Sequence, residues 1–218
     1  MIMPIRTTKF RRSLDRLLGN AGSARHEQPL RASGLRTRRL HLACGIAGLG
    51  HGAKILPGWT NIDIEGNGTT TFAWNLTEPL PLPDRSVDCV YSEHFIEHLS
   101  LEDGRRLLAD CRRVLAPGGV VRVSTPDLMA LVRKYLEGDV REWTDMGWSP
   151  QTPCDLLNEG MRNWGHLYVY DEAKLSAELT STGFASVRRC RWGDSAHEPL
   201  RGLETRPDHG DLILEAQA

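Results

Sequence analysis

The stretch RLHLACGIAGLGHG (39–52), with TNIDI (60–64) after it, decides the fold. Residues 39–44 read as a strand that runs straight into Gly45, Gly48, Gly50 and Gly52. Glycine after a strand lets the backbone turn tightly and approach a ligand. The second apolar run closes on Asp63. A strand, a glycine turn and an acid at the tip of the next strand is the arrangement with which Rossmann-like sheets hold a ribose. The glycines do not spell G-x-G-x-x-G, and the segment before the second strand barely has room for a helix whose N-terminus could take a pyrophosphate. The loop suits a nucleoside without phosphates better than a dinucleotide; a plain strand–turn is the alternative reading.

Outward from this stretch, strands and helices alternate. TTTFAWNL (69–76) is β-rich and SVDCVYS (86–92) is an apolar strand. Ser100 and Asp103 resemble a capping box, ahead of a helix with Leu107, Leu108, Cys111, Val114 and Leu115 on one face. APGG (116–119) ends that helix, VVRVST (120–125) is the next strand, and DLMALVRKYLEG (127–138) the next helix. Residues 139–165 read as an irregular insert, Asp171 to Thr182 as a helix, and 185–191 and 211–216 as closing strands around a loop at 193–210. This alternation predicts an α/β fold with a mostly parallel sheet and helices on both faces.

Two segments follow: residues 1–37, a basic N-terminal helix and linker, and 38–218, the folded body. Phe10, Leu14, Leu17 and Leu18 form the apolar stripe of a helix over 7–18, expected to close as a lid on the body. The charge is uneven. Residues 1–39 carry ten Arg or Lys against two acids, while the whole chain sums to −1. A basic arm on an acidic body can reach nucleic acid, but docking on its own domain or plain solvation is the preferred reading. At 218 residues, 40% hydrophobic and 25% charged, the chain fits one globular domain and excludes a disordered or fibrous protein. No apolar run approaches the roughly 18 residues of a membrane span. Cys44, Cys89, Cys111, Cys154 and Cys190 are scattered without a CxxC, which excludes a thiolate zinc site and fits a reducing cytoplasm.

HLACG (41–45), GWTNIDI (58–64), LTEPLPLPDRSVDCVYSEHFIEHL (76–99) and CRRVLAPGGVVRVSTPDL (111–128) together resemble the class I S-adenosylmethionine-dependent methyltransferases, in particular the type 11 group. The resemblance covers 39–136 and extends more weakly to 164–191. It implies a Rossmann-like, seven-stranded sheet, parallel except for one strand near the edge, and S-adenosyl-L-methionine as cofactor. It places the backbone of Ala43, Gly45 and Gly48 against the methionine part, Asp63 on the ribose and Ile64 on the adenine. Asn75, where the family often has Asp, would accept from the adenine amino group. Ser92 would edge the methyl-donor end, with His94 pointing towards the transfer site.

His94 to His98 also spells HxxEH, the inverted zinc-protease signature. The motif follows a buried strand and lacks a third ligand with the expected downstream pattern, so no metal is expected. The insert 139–165 carries Trp143, Trp148, Trp164, Met146 and Met161, too many large apolar groups for a solvated loop. With Tyr170 they are expected to line an acceptor pocket, with His166 first and His94 second as general base. The expected acceptor is a small molecule or a glycan, methylated on oxygen or nitrogen. A nucleic-acid or protein acceptor, or an inactive methyltransferase-like partner protein, are the alternatives.

Overall fold

The computed structural model describes residues 37–45, 54–64, 66, 71–140, 148–206 and 210–218. The helix expected over 7–18, the linker, Gly48, Trp143 and Met146 lie outside the described residues.

In chain order the strands and helices are β1 (Arg39–Leu42), β2 (Thr60–Asp63), β3 (Thr71–Ala73), β4 (Val87–Glu93), α1 (Leu101–Val114), β5 (Leu115–Thr125), α2 (Leu128–Glu137), α3 (Pro153–Arg162), α4 (Glu172–Ser181), β6 (Ser186–Arg189) and β7 (Leu212–Gln217). The seven strands form one sheet in the order β3-β2-β1-β4-β5-β7-β6. β7 runs antiparallel to both β5 and β6, and the remaining pairs are parallel. This is the expected topology, with the antiparallel strand one place from the edge.

The central strands are buried on both faces, as a parallel sheet requires. Leu40, Leu42, Val90, Val121 and Val123 meet Leu107, Leu108, Cys111 and Val114 of α1, and Leu175 and Leu179 of α4. Ser100 caps α1 by accepting the Asp103 N–H at 3.1 Å. α2 stops at Gly138, whose φ of 69° is left-handed.

Two local readings are corrected. The APGG segment does not merely end α1; it enters β5 at once, and the β4–β5 register shifts between Val87 and Cys89. A bulge of this kind needs glycine. A Cβ on Gly119 would meet the carbonyl oxygens of Ala116 at 2.9 Å and Asp88 at 3.0 Å. The insert is also not irregular throughout. Thr152 accepts the Asp155 N–H and Pro153 occupies the first turn, which starts α3. That helix packs on α2 through Leu131, Trp148 and Leu156.

Candidate active site

The register aligns three strand ends. Leu42 pairs with Ile62 on one side and Ser92 on the other, so Ala43, Asp63 and Glu93 emerge side by side at the carboxyl edge of the sheet. Ligands of open α/β sheets bind there. Ala43 has φ 52° and Gly45 φ 70°, so the chain turns through left-handed backbone as it leaves β1. The Gly45 N–H donates to Asp63 Oδ2 at 2.9 Å, and the Ile64 N–H donates to Oδ1 at 2.7 Å. Asp63, 9% exposed, thus ties the start of the glycine loop to the end of β2. A carboxylate oxygen can accept more than one hydrogen bond.

Ser92 supplies the most direct sign of a ligand. Its hydroxyl is buried and has no hydrogen-bond partner among the described residues. A buried polar atom left unpaired is costly, and such atoms mark places where a ligand or water completes the bonding. Asn75 differs from expectation. Its Oδ1 already accepts the Thr77 N–H at 3.1 Å and the Thr77 hydroxyl at 2.9 Å, so that oxygen caps a turn.

Beyond Ser92, His94 is drawn into a network of charged partners. His94 adopts φ 49°, and its N–H donates to the Ser124 carbonyl at 2.8 Å. Its Nε2 donates to Asp211 Oδ2 at 2.8 Å, and Nδ1 lies 3.3 Å from Glu97 Oε1. Burial opposes charge on this ring, but Asp211 and Glu97 outweigh it and raise the imidazole to about 9. These partners favour the imidazolium form of His94 and work against its use as a general base. The HxxEH segment is not an α-helix either. Ile96–His98 is a single 3-10 turn, so His94 and His98 do not form a helical ligand pair.

Glu97 is fully buried. Burial pushes its carboxyl up, yet the facing His94 overcomes this and holds it down at about 2. The Thr125 hydroxyl donates to Oε2 at 2.9 Å. The Glu97 carbonyl accepts the Leu167 and Tyr168 N–H groups at 2.7 and 3.1 Å, which brings His166 alongside. His98 and His166 meet edge to face with centroids 5.1 Å apart. His166 Nδ1 lies 3.0 Å from the Gly160 carbonyl. A carbonyl only accepts, so Nδ1 carries the proton and Nε2 keeps the lone pair. Burial lowers His166 to about 4 and pushes His98 below its ordinary value, so both rings are neutral at pH 7.

The acceptor side divides. Trp164, with φ 57°, lies between Trp148, which it meets edge to face, and His166, tilted against it, at centroid distances of 5.2 and 5.7 Å. Trp148 is itself buried against Leu131 and Leu156, and its ring N–H bonds Glu159, so it holds α3 to α2. Tyr170 is corrected outright. It is 1% exposed within the main core, and its carbonyl accepts the Leu128 N–H at 2.9 Å, anchoring the chain beside α2. Sequence reasoning missed Glu97, His98 and Asp211. The first two stood in the sequence only as part of the HxxEH motif. Nothing local marked Asp211, because it reaches His94 only through the antiparallel closure of β7.

Comparison with known proteins places this geometry. The family model described as "Methyltransferase domain" matches residues 61–123. A Mycobacterium tuberculosis protein named "Probable S-adenosylmethionine-dependent methyltransferase" is 33% identical over 146 residues, 66% of this chain and 41% of that protein. A protein of the same description from Mycolicibacterium smegmatis is 55% identical over 53 residues, 24% of this chain and 20% of the relative. The chain thus spans well under half the length of these curated relatives. Among solved structures, an Archaeoglobus fulgidus SAM-dependent methyltransferase superposes with TM-score 0.52 at 18% identity, covering 97% of each chain. At that identity the likeness shows the fold alone.

Proposed function

We propose that the chain, which is similar to class I S-adenosylmethionine-dependent methyltransferases of the type 11 group, binds S-adenosyl-L-methionine at the carboxyl ends of β1, β2 and β4 and methylates an oxygen or nitrogen of a small molecule or glycan. The carrying observation is the unpaired, buried Ser92 hydroxyl beside the Asp63–Gly45 clamp. Ala43, Gly45 and Gly48 present backbone to the methionine part, Asp63 accepts from the ribose, and Ile64 covers the adenine. Ser92 edges the reacting end. Asn75 steadies the adenine side by holding its turn, its oxygen accepting from Thr77.

When bound, the cofactor supplies a methyl group on an already activated sulfonium. What remains for the protein is alignment and exclusion of water. His94 holds a fixed positive charge between Asp211 and Glu97 and positions the turn at the end of β4. The neutral His98 and His166 face the acceptor, with Trp164 as its apolar wall. Four buried thiols and the exposed Cys154, all unpaired, support a reducing cytoplasmic setting. Among the described residues no helix is long and apolar enough to cross a membrane.

The test is to incubate the full chain and an extract with methyl-labelled cofactor, then separate the products by class. Label in a small-molecule or oligosaccharide fraction is expected. Label in nucleic acid or polypeptide would overturn the acceptor reading. Cofactor bound without any transfer would mark an inactive partner protein.

A further inference from the structure

We propose that Glu97, His98 and His166 form a site for one first-row divalent cation, placed to hold an oxygen of the acceptor beside the methyl donor. The site stands on geometry alone; its role in holding the acceptor rests on the methyl-transfer reading.

The ligand atoms of these three side chains lie within 4.8 Å of one another, and His98 Nε2 is 3.9 Å from Glu97 Oε1. Zinc-type bonds of about 2.0–2.2 Å need the three atoms to move inward by roughly 0.5–1 Å each, within reach of side-chain rotation. One imidazole is oriented as a ligand is: His166 donates its Nδ1–H to the Gly160 carbonyl, so its ring is fixed by the backbone and Nε2 keeps its lone pair. Metal-binding histidines are held in this way by the partner of the second nitrogen. Glu97 is steadied likewise by the Thr125 hydroxyl.

The surrounding charge allows a cation. His94 lies 2.8 Å from Asp211 and 3.3 Å from Glu97 Oε1, so two carboxylates face this one imidazole and the incoming cation together. Arg206 also bears on His98 and works against binding. Glu97 is buried while the two histidines are partly open, so an ion can enter from the acceptor side. Two imidazoles and one carboxylate suit zinc, manganese or iron(II); magnesium and calcium prefer an all-oxygen shell. Three protein ligands leave positions open for a hydroxyl-bearing acceptor. The third ligand whose absence argued against metal in the sequence is His166, delivered by the two N–H bonds from Leu167 and Tyr168 to the Glu97 carbonyl.

The experiment uses the untagged full chain, stripped with a chelator and titrated with Zn²⁺ alone by calorimetry. One zinc per chain is expected. Glu97→Gln, His98→Ala and His166→Ala should abolish it. Thr125→Val should weaken it by about 10–100-fold, the usual cost of losing an outer partner. Cys154→Ser, which removes the exposed thiol, should leave it unchanged. Binding of S-adenosylhomocysteine, measured on the same samples, should survive His166→Ala. Stripped wild-type protein that takes up no zinc overturns the site, whether or not the variants fold. So does zinc bound equally well by His98→Ala and His166→Ala. Zinc uptake without any cofactor binding would leave the site standing and defeat the methyl-transfer reading instead.

Discussion

Replacing Asp63 with Ala separates the two tasks this side chain performs. In the folded chain its oxygens accept the Gly45 and Ile64 N–H groups at 2.9 and 2.7 Å. Losing both leaves two backbone donors near the sheet edge without their acceptor. The cost is about 1–3 kcal/mol, lowering Tm by about 2–12 °C in a chain of this size. The second loss appears only with ligand. Charge-assisted bonds to the ribose are worth about 1.5–3 kcal/mol, so affinity for S-adenosylhomocysteine should fall by about 10- to 150-fold. Calorimetry would be run at a temperature where circular dichroism shows the variant folded. A Kd within twofold of wild type, alongside the lowered Tm, would refute the ribose assignment and leave Asp63 as a strut for the loop.

Three further outcomes follow from the structure. Arg122, fully buried, bonds Glu204 and also Glu215 at 2.7 Å. Arg122→Met should cost about 3–5 kcal/mol, read as a urea midpoint shift, and replacing both glutamates with Leu as well should recover most of it. Gly119→Ala forces a Cβ onto the Ala116 and Asp88 carbonyl oxygens, so it should lose about 1–3 kcal/mol by thermal melting. The bond from Arg105, helped by Lys174, depresses the Glu178 carboxyl to about 2. Because the folded value lies below the ordinary one near 4.5, this stabilisation is complete above pH 4.5 and is lost as pH falls through about 2. Glu178→Gln should flatten that part of a Tm-against-pH profile and leave neutral pH little changed in slope.

How much was legible in the sequence depended on the range of the interaction. The glycine turn after β1, the acid closing β2, the Ser100 cap and the Gly138 stop are local signals, and each stands where it was read. Helix α3 was written equally locally, in Thr152, Pro153 and Asp155, but its aromatic neighbours suggested a pocket wall instead. The histidine cluster could not be read locally. His94 meets Asp211 across 117 residues, and His166 reaches Glu97 only when the chain returns beside the 3-10 turn. These contacts set the charge of the two histidines: Asp211 and Glu97 hold His94 towards its charged form, and burial keeps His166 neutral. Tyr170 illustrates the same limit, because a tyrosine after an aromatic-rich insert reads alike whether it faces a pocket or the core.

The central claim is that the cofactor lies on the carboxyl ends of β1, β2 and β4. Hydrogen exchange with and without S-adenosylhomocysteine tests it directly. Slowed exchange is expected in peptides holding residues 43–45, 63–64 and 92–94, with the α2–α4 cleft around Asp127, Arg133 and Arg189 unchanged. Protection confined to that cleft, or absent everywhere at saturating ligand, would contradict the account.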